Sequence, residues 1–177
     1  MRFSTSNNRK DTRTPVEKLT VAGLLVAAAM LLSGVHFPVG PTRCYPFQHT
    51  VNVLAGALLG PCWAGGVAFV TSLLRNMTGT GTLFAFPGSI PGAIMAGVAF
   101  KLFPHPLSAL AEPFGTGPIG ATFSAFLLGP AMGRSVGFFA LQAAFLISSI
   151  PGALLGMVIL HVFQRRASSG ILQSEDK

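Results

Sequence analysis

Arg75-Asn76-Met77-Thr78-Gly79-Thr80-Gly81 stands at the junction of two apolar runs, residues 62–77 and 83–104, that read as membrane spans. A guanidinium, an amide and hydroxyls beside glycines are costly next to hydrocarbon unless they face a cavity, a partner or water. A second polar block, from His36 to Asn52, lies earlier in the chain and carries Arg43, Gln48, His49 and Asn52. The expectation is that the two blocks meet on one side of a helical bundle and form a small-molecule site.

Composition agrees with a membrane setting. Of the 177 residues, 50% are apolar and 10% charged, where a soluble domain carries about a quarter charged residues. The 21 glycines and 13 prolines suit spans that pack closely and break deliberately. The net charge of +7 is not read as a nucleic-acid signal, because the basic residues cluster at the chain ends, where they fit an anionic inner leaflet. Cys44 and Cys62 are expected on opposite sides of the membrane, so no disulfide is expected. Neither has a His or Cys at metal-ligand spacing, and no metal or cofactor is expected.

Six spans are expected, at 18–36, 46–60, 62–77, 83–104, 114–132 and 136–163. The fold class is therefore all-α, an integral bundle of six transmembrane helices with both termini cytoplasmic. Residues 1–17 read as a disordered basic tail, 18–163 as the membrane domain and 164–177 as a second cytoplasmic tail. The first apolar run reads as a retained helix rather than a cleaved signal. The second and third spans are short for the ~20 residues a crossing needs, and only Gly60-Pro61 separates them. Pro87-Gly88, Pro91-Gly92 and Pro151-Gly152 are expected to interrupt the fourth and sixth. With the N-terminus inside, residues 2, 9, 10, 13, 18, 101, 165, 166 and 177 are cytoplasmic, nine of the twelve Lys and Arg. Arg43, Arg75 and Arg134 remain outside as exceptions to the positive-inside rule.

Gln48 and Asn52 are four apart and share a helix face, with His49 adjacent and Arg43 just upstream. Their amides and imidazole can donate to or accept from a polar heterocycle. Their alternative is bonding to neighbouring backbone. Arg75 and Asn76 end the third span on the same side, where Arg75 either snorkels to the interface or meets a ligand. In the Thr80 segment glycines allow backbone N–H groups to approach a ligand. Tyr45, Phe84 and Phe86 can stack on a flat ring. Gly23 and Ala27 form a small-residue ridge on the first helix, facing either another helix of this chain or another membrane protein. The Gly-x-x-x-Gly pairs 88/92 and 152/156 are read as packing devices.

The only acids are Asp11, Glu17, Glu112, Glu175 and Asp176, and none is expected mid-span. Glu112 is read as a cap near the inner end of the fifth helix. Ion-driven carriers normally place an ionisable group near the midplane, so the pattern argues against self-powered transport. No phosphate loop, His-Glu-x-x-His or Gly-x-Ser-x-Gly occurs, so no enzyme activity is expected. The outward polar site, without fuel or nucleophile, reads as a binding subunit.

Here a resemblance becomes specific. Pro46-Phe47-Gln48-His49-Thr50-Val51-Asn52-Val53, Leu59-Gly60-Pro61, Arg75-Asn76 with Gly79-Thr80-Gly81, and Ala85-Phe86-Pro87-Gly88-Ser89 resemble the ThiW family. These are substrate-binding S components of energy-coupling factor (ECF) vitamin transporters. The resemblance runs from Leu19 to Phe163 and implies capture of hydroxyethylthiazole, the thiazole precursor of thiamin, at the outer face of the cell membrane. It also implies association with a transmembrane coupling protein and two ATPase subunits, with Gly23 and Ala27 as the contact. Gln48, Asn52, Arg75 or Asn76 would meet the ring nitrogen and hydroxyl. The rival readings are a self-sufficient metabolite carrier, an intramembrane enzyme using His36, His49 or Cys44, and a structural membrane partner.

Overall fold

The computed structural model describes residues 13–39 and 42–175, without the side chains of 38–43 and of residues beyond 166. Most of the expected N-terminal tail, residues 1–12, lies outside the described residues, as does the Arg43 side chain. Helix α1 spans Pro15–Leu32 and starts inside the stretch expected as tail. Thr14 and Glu17 form a reciprocal capping box, and Pro15 occupies the first turn, where its missing N–H is not needed. A short antiparallel hairpin follows, β1 (Phe37–Val39) and β2 (Thr42–Cys44). Helices α2 (Pro46–Leu59) and α3 (Pro61–Met77) are hinged at Gly60, whose φ of 82° is in the left-handed region. L residues rarely adopt that conformation, and glycine does so freely.

Helix α4 spans Ala85–Leu102. A 3₁₀ turn, Pro106–Ala111, leads into α5, residues 112–131, in which α-helical turns alternate with π-helical turns at Gly115–Ile119 and Ser124–Leu128. Helix α6 spans Phe138–Glu175. Helices α1, α4 and the first 29 residues of α6 are long and apolar enough to cross a membrane. Helices α2 and α4 form the centre of the bundle. Helices α1 and α3 pack on one side, and α5 and α6 on the other.

The distribution of side chains is inverted relative to a water-soluble bundle. Large apolar residues such as Leu24, Leu31, Phe103, Phe126 and Phe163 point outward, while Ala29, Ala55, Ala64, Ala93, Ala96, Ala121 and Ala153 fill the interior. Lipid solvates Leu and Phe as well as a core does, so helices associate through close packing of small residues instead. Gly56 packs on the backbone of Ala96 and Gly97, and Gly156 on Val53.

The expected interruptions do not occur: α4 is continuous through Pro91 and α6 through Pro151. Each proline removes an N–H and frees the carbonyl one turn earlier, and neighbours absorb that carbonyl. Ile147 O accepts the Cys44 Sγ–H at 3.2 Å, and Pro87 O lies against Gly120. Pro87 itself is in the first turn of α4, where no donor is missed. The two cysteines are both free, Cys44 buried and Cys62 exposed.

Gly92 marks the tightest seam, between α4 and α5. A Cβ there would lie 2.6 Å from Glu112 Oε1 and would collide with Thr116 Oγ1. Gly92→Ala is expected to destabilise the protein by about 2–3 kcal/mol, read as a lower melting temperature in detergent. An unchanged melting temperature would show that α4 and α5 are not in this contact.

Candidate functional site

A cavity of about 450 Å³ lies between the start of α2, the end of α3, the α3–α4 loop and the first half of α6. Its wall comprises Tyr45, Gln48 and His49 from the His36–Asn52 block, Arg75 and Thr80 from the Arg75–Gly81 block, Phe84 just before α4, and Leu141, Ala144, Phe145 and Ser148 from α6. The two blocks therefore converge. The volume falls in the ~300–1,000 Å³ range of small-molecule sites.

Local structure sets each side chain. Tyr45 precedes α2, and its N–H donates to Ser148 Oγ at 3.2 Å, tying the helix start to α6. Gln48 follows one turn on, and its side-chain amide has no partner among the described residues, leaving a donor and an acceptor on the cavity. Arg75 is only 3% exposed. Its Nη2 donates to Thr80 O at 3.0 Å, its guanidinium carbon lies 4.2 Å from the Tyr45 ring centroid, and its buried Nε has no partner. No carboxylate pairs with it among the described residues. Arg75 thus does not snorkel but presents an uncompensated cation to the cavity.

The loop after α3 works differently from the expectation. The amides of Thr80 and Gly81 both donate to Arg75 O at 2.9 Å, and Gly79 has the positive φ of 73° that lets the chain turn back. These N–H groups satisfy the last carbonyls of the helix, so they are not available to a ligand. The loop's contribution to the cavity is its shape and the Thr80 side chain.

Three expected site residues stand apart from the cavity wall. Asn76 donates from Nδ2 to Ser72 O at 2.8 Å and to Thr82 O at 2.9 Å, fastening the loop. Phe86 pairs with Phe69 of α3 at 5.6 Å between centroids and does not line the cavity. Asn52 is buried one turn below Gln48, with Nδ2 3.0 Å from Ser89 Oγ and 3.1 Å from Glu112 Oε1. The four-residue spacing correctly put Gln48 and Asn52 on one face, but only the first reaches the cavity. Arg43 has its backbone in β2, and its side chain is outside the described residues.

The largest correction concerns Glu112. It is fully buried, not an inner-end cap, and it accepts no backbone N–H. The 3₁₀ turn before it carries the chain into the bundle, with Ala109 already at 0% exposure. Glu112 therefore enters beside the middle of α2 and α4. Its Oε1 lies 2.7 Å from His49 Nδ1 and accepts from Thr116 Oγ1 at 2.8 Å, while Oε2 is buried without a partner. An acid does sit within the bundle. Composition could not reveal this, because the α5 boundary hides in a Pro-rich stretch.

Reasoning from sequence also missed Leu141, Ala144, Phe145 and Ser148. Their spacing of three, one and three places them on one helical face, a pattern that could have identified the α6 wall. The Gly88 backbone lies against the Phe145 ring, where a Cβ would be 2.9 Å away, so the glycine makes room for this aromatic. The small-residue ridge of α1 is also resolved: Ala22 and Ala29 point inward, while Gly23 and Ala27 are exposed with open space at Gly23.

A family model described as thiamine-precursor transporter protein (ThiW) matches residues 19–166. No curated protein matches the chain.

Proposed function

We propose that this chain, which belongs to the ThiW family of thiamine-precursor transporters, captures hydroxyethylthiazole in the cavity beside Arg75 and delivers it to an ECF module. The family is a transporter family, not an enzyme family, and the chain is a membrane protein. In the proposed topology six helices cross the plasma membrane with both termini cytoplasmic, and the cavity opens to the outside. The observation that carries the ligand reading is the pairing of a guanidinium without an anion and a free Gln48 amide on one small hollow. A heteroaromatic ring nitrogen accepts from Arg75 or Gln48, and the ring packs against Phe84 and Phe145. The cavity takes the ring, its hydroxyethyl arm and ordered water.

Energy for release comes, in this reading, from a coupling protein and two ATPases. The outward Gly23 and Ala27 surface of α1 supports such a contact, because close approach of lipid-embedded helices requires small side chains. A second reading, a self-powered carrier, gains support from the buried Glu112–His49 pair, since intramembrane acids serve ion-coupled carriers.

Isothermal titration of the purified protein with hydroxyethylthiazole is expected to show submicromolar binding. Gln48→Ala is expected to weaken it about tenfold, the effect of one lost hydrogen bond in a dry site. No heat with hydroxyethylthiazole, thiamin or pyrimidine precursors would remove the ligand reading. Uptake that persists undiminished in cells lacking the ATPases would establish the carrier.

A further inference from the structure

We infer that Glu112 is a positioning residue that acts through His49, holding the imidazole so that a bare Nε2 faces the cavity and selects a ligand with a hydroxyl donor. The inference rests on the reading of the cavity as the thiazole-alcohol site and specifies which ligand group meets His49.

Three donors surround one oxygen. Glu112 Oε1 lies 3.1 Å from Asn52 Nδ2, 2.8 Å from Thr116 Oγ1 and 2.7 Å from His49 Nδ1. A carboxylate oxygen that accepts from the amide and the hydroxyl accepts from Nδ1 as well, which puts the proton of the third contact on that nitrogen. A neutral imidazole protonated at Nδ1 carries a lone pair at Nε2. That nitrogen has no partner among the described residues, and His49 borders the cavity. The arrangement cannot easily rotate away: Gly152 packs on the His49 Cβ, and Gly92 leaves no free space beside the carboxylate.

The Nε2 acceptor decides which ligand group fits beside it. A phosphate ester would bring its oxygens, which only accept, toward another acceptor at Nε2. A free hydroxyl donates to Nε2, while Arg75 or Gln48 donates to the ring nitrogen. The site therefore suits a neutral heteroaromatic alcohol and opposes its ether or its phosphate.

The test compares hydroxyethylthiazole with its methyl ether by titration calorimetry, in the wild type and two variants. The wild type is expected to favour the alcohol by at least about tenfold, because the ether leaves a buried acceptor unpaired. Glu112→Gln retains an oxygen for all three donors, so the preference should survive. Glu112→Leu releases Nδ1, and the ratio should fall to near one; a general loss of structure would weaken both ligands equally and leave the ratio unchanged. A full preference in Glu112→Leu overturns the inference. Nitrogen-15 spectra of histidine-labelled wild-type protein, with His49→Gln for assignment, provide a readout independent of folding in the variants and of the ligand. A proton on Nδ1 with Nε2 bare is the expected state, and a proton on Nε2 overturns the inference. If the wild type binds neither compound, the hydroxyethylthiazole reading fails, and the spectra still decide the role of Glu112.

Discussion

Gly23→Leu is expected to abolish uptake of hydroxyethylthiazole while leaving its binding unchanged. Gly23 lies on the exposed face of α1, and nothing in the chain comes within 4 Å of a Cβ built there. The substitution therefore meets no internal obstacle. It also replaces a helix-interior glycine with a good helix former, a change favourable by up to about 1 kcal/mol. The cavity lies between α2, α3 and α6, and α1 contributes no residue to its wall. Ligand capture has no route by which to sense the new side chain. A coupling helix packed against Gly23 and Ala27 would be forced apart by the isobutyl group, because lipid-embedded helices associate only where backbones approach. The measurement is labelled-substrate uptake in cells expressing the ATPase module, beside calorimetry on the purified variant. Wild-type uptake by Gly23→Leu would show that this face of α1 contacts no partner.

The second large effect is expected at Arg75. Arg75→Met should reduce affinity for hydroxyethylthiazole by about 100-fold, the effect of one lost charge-assisted hydrogen bond. The same variant should melt at a higher temperature than the wild type when empty. Burying a guanidinium without an anion carries a desolvation penalty of several kcal/mol that an apolar side chain of similar length avoids. The bonds that fasten the loop run to the Arg75 backbone carbonyl, so they survive the substitution. Arg75→Lys keeps the charge but lacks the planar fork and the stacking on Tyr45, and should bind with intermediate affinity. Thermal melts of the empty proteins and titrations with ligand separate the two effects. Equal affinity in Arg75→Met and wild type would mean that the guanidinium serves the fold and not the ligand.

Much of the architecture is legible in local pattern. The apolar runs locate the helices within a few residues, because a span must satisfy its own backbone and solvate its side chains in lipid; the exception is the end of α6, which continues to Glu175, through most of the stretch expected as a tail from 164. The short α2–α3 pair follows from Gly60-Pro61, and the expectation of close packing at Gly88, Gly92, Gly152 and Gly156 agrees with the seams observed. The prolines misled, since local chemistry says only that a donor is lost. Whether the freed carbonyl breaks the helix depends on whether a distant donor reaches it, as the Cys44 thiol reaches Ile147 O.

The sequence by itself determined a membrane-embedded helical chain with two polar blocks, one at each of two loops, and named six residues of the cavity wall: Tyr45, Gln48, His49, Arg75, Thr80 and Phe84. Only tertiary structure separated these from Asn52, Asn76 and Phe86, which have the same chemistry but spend it on neighbouring side chains and carbonyls. Only tertiary structure, too, brought Glu112 to His49 across 63 positions and put Phe145 and Tyr45 on one cavity. The physical reason is that residue type and spacing specify a helix and its faces, whereas what a face meets is set by how helices pack, and close packing in lipid is decided by small residues far apart along the chain.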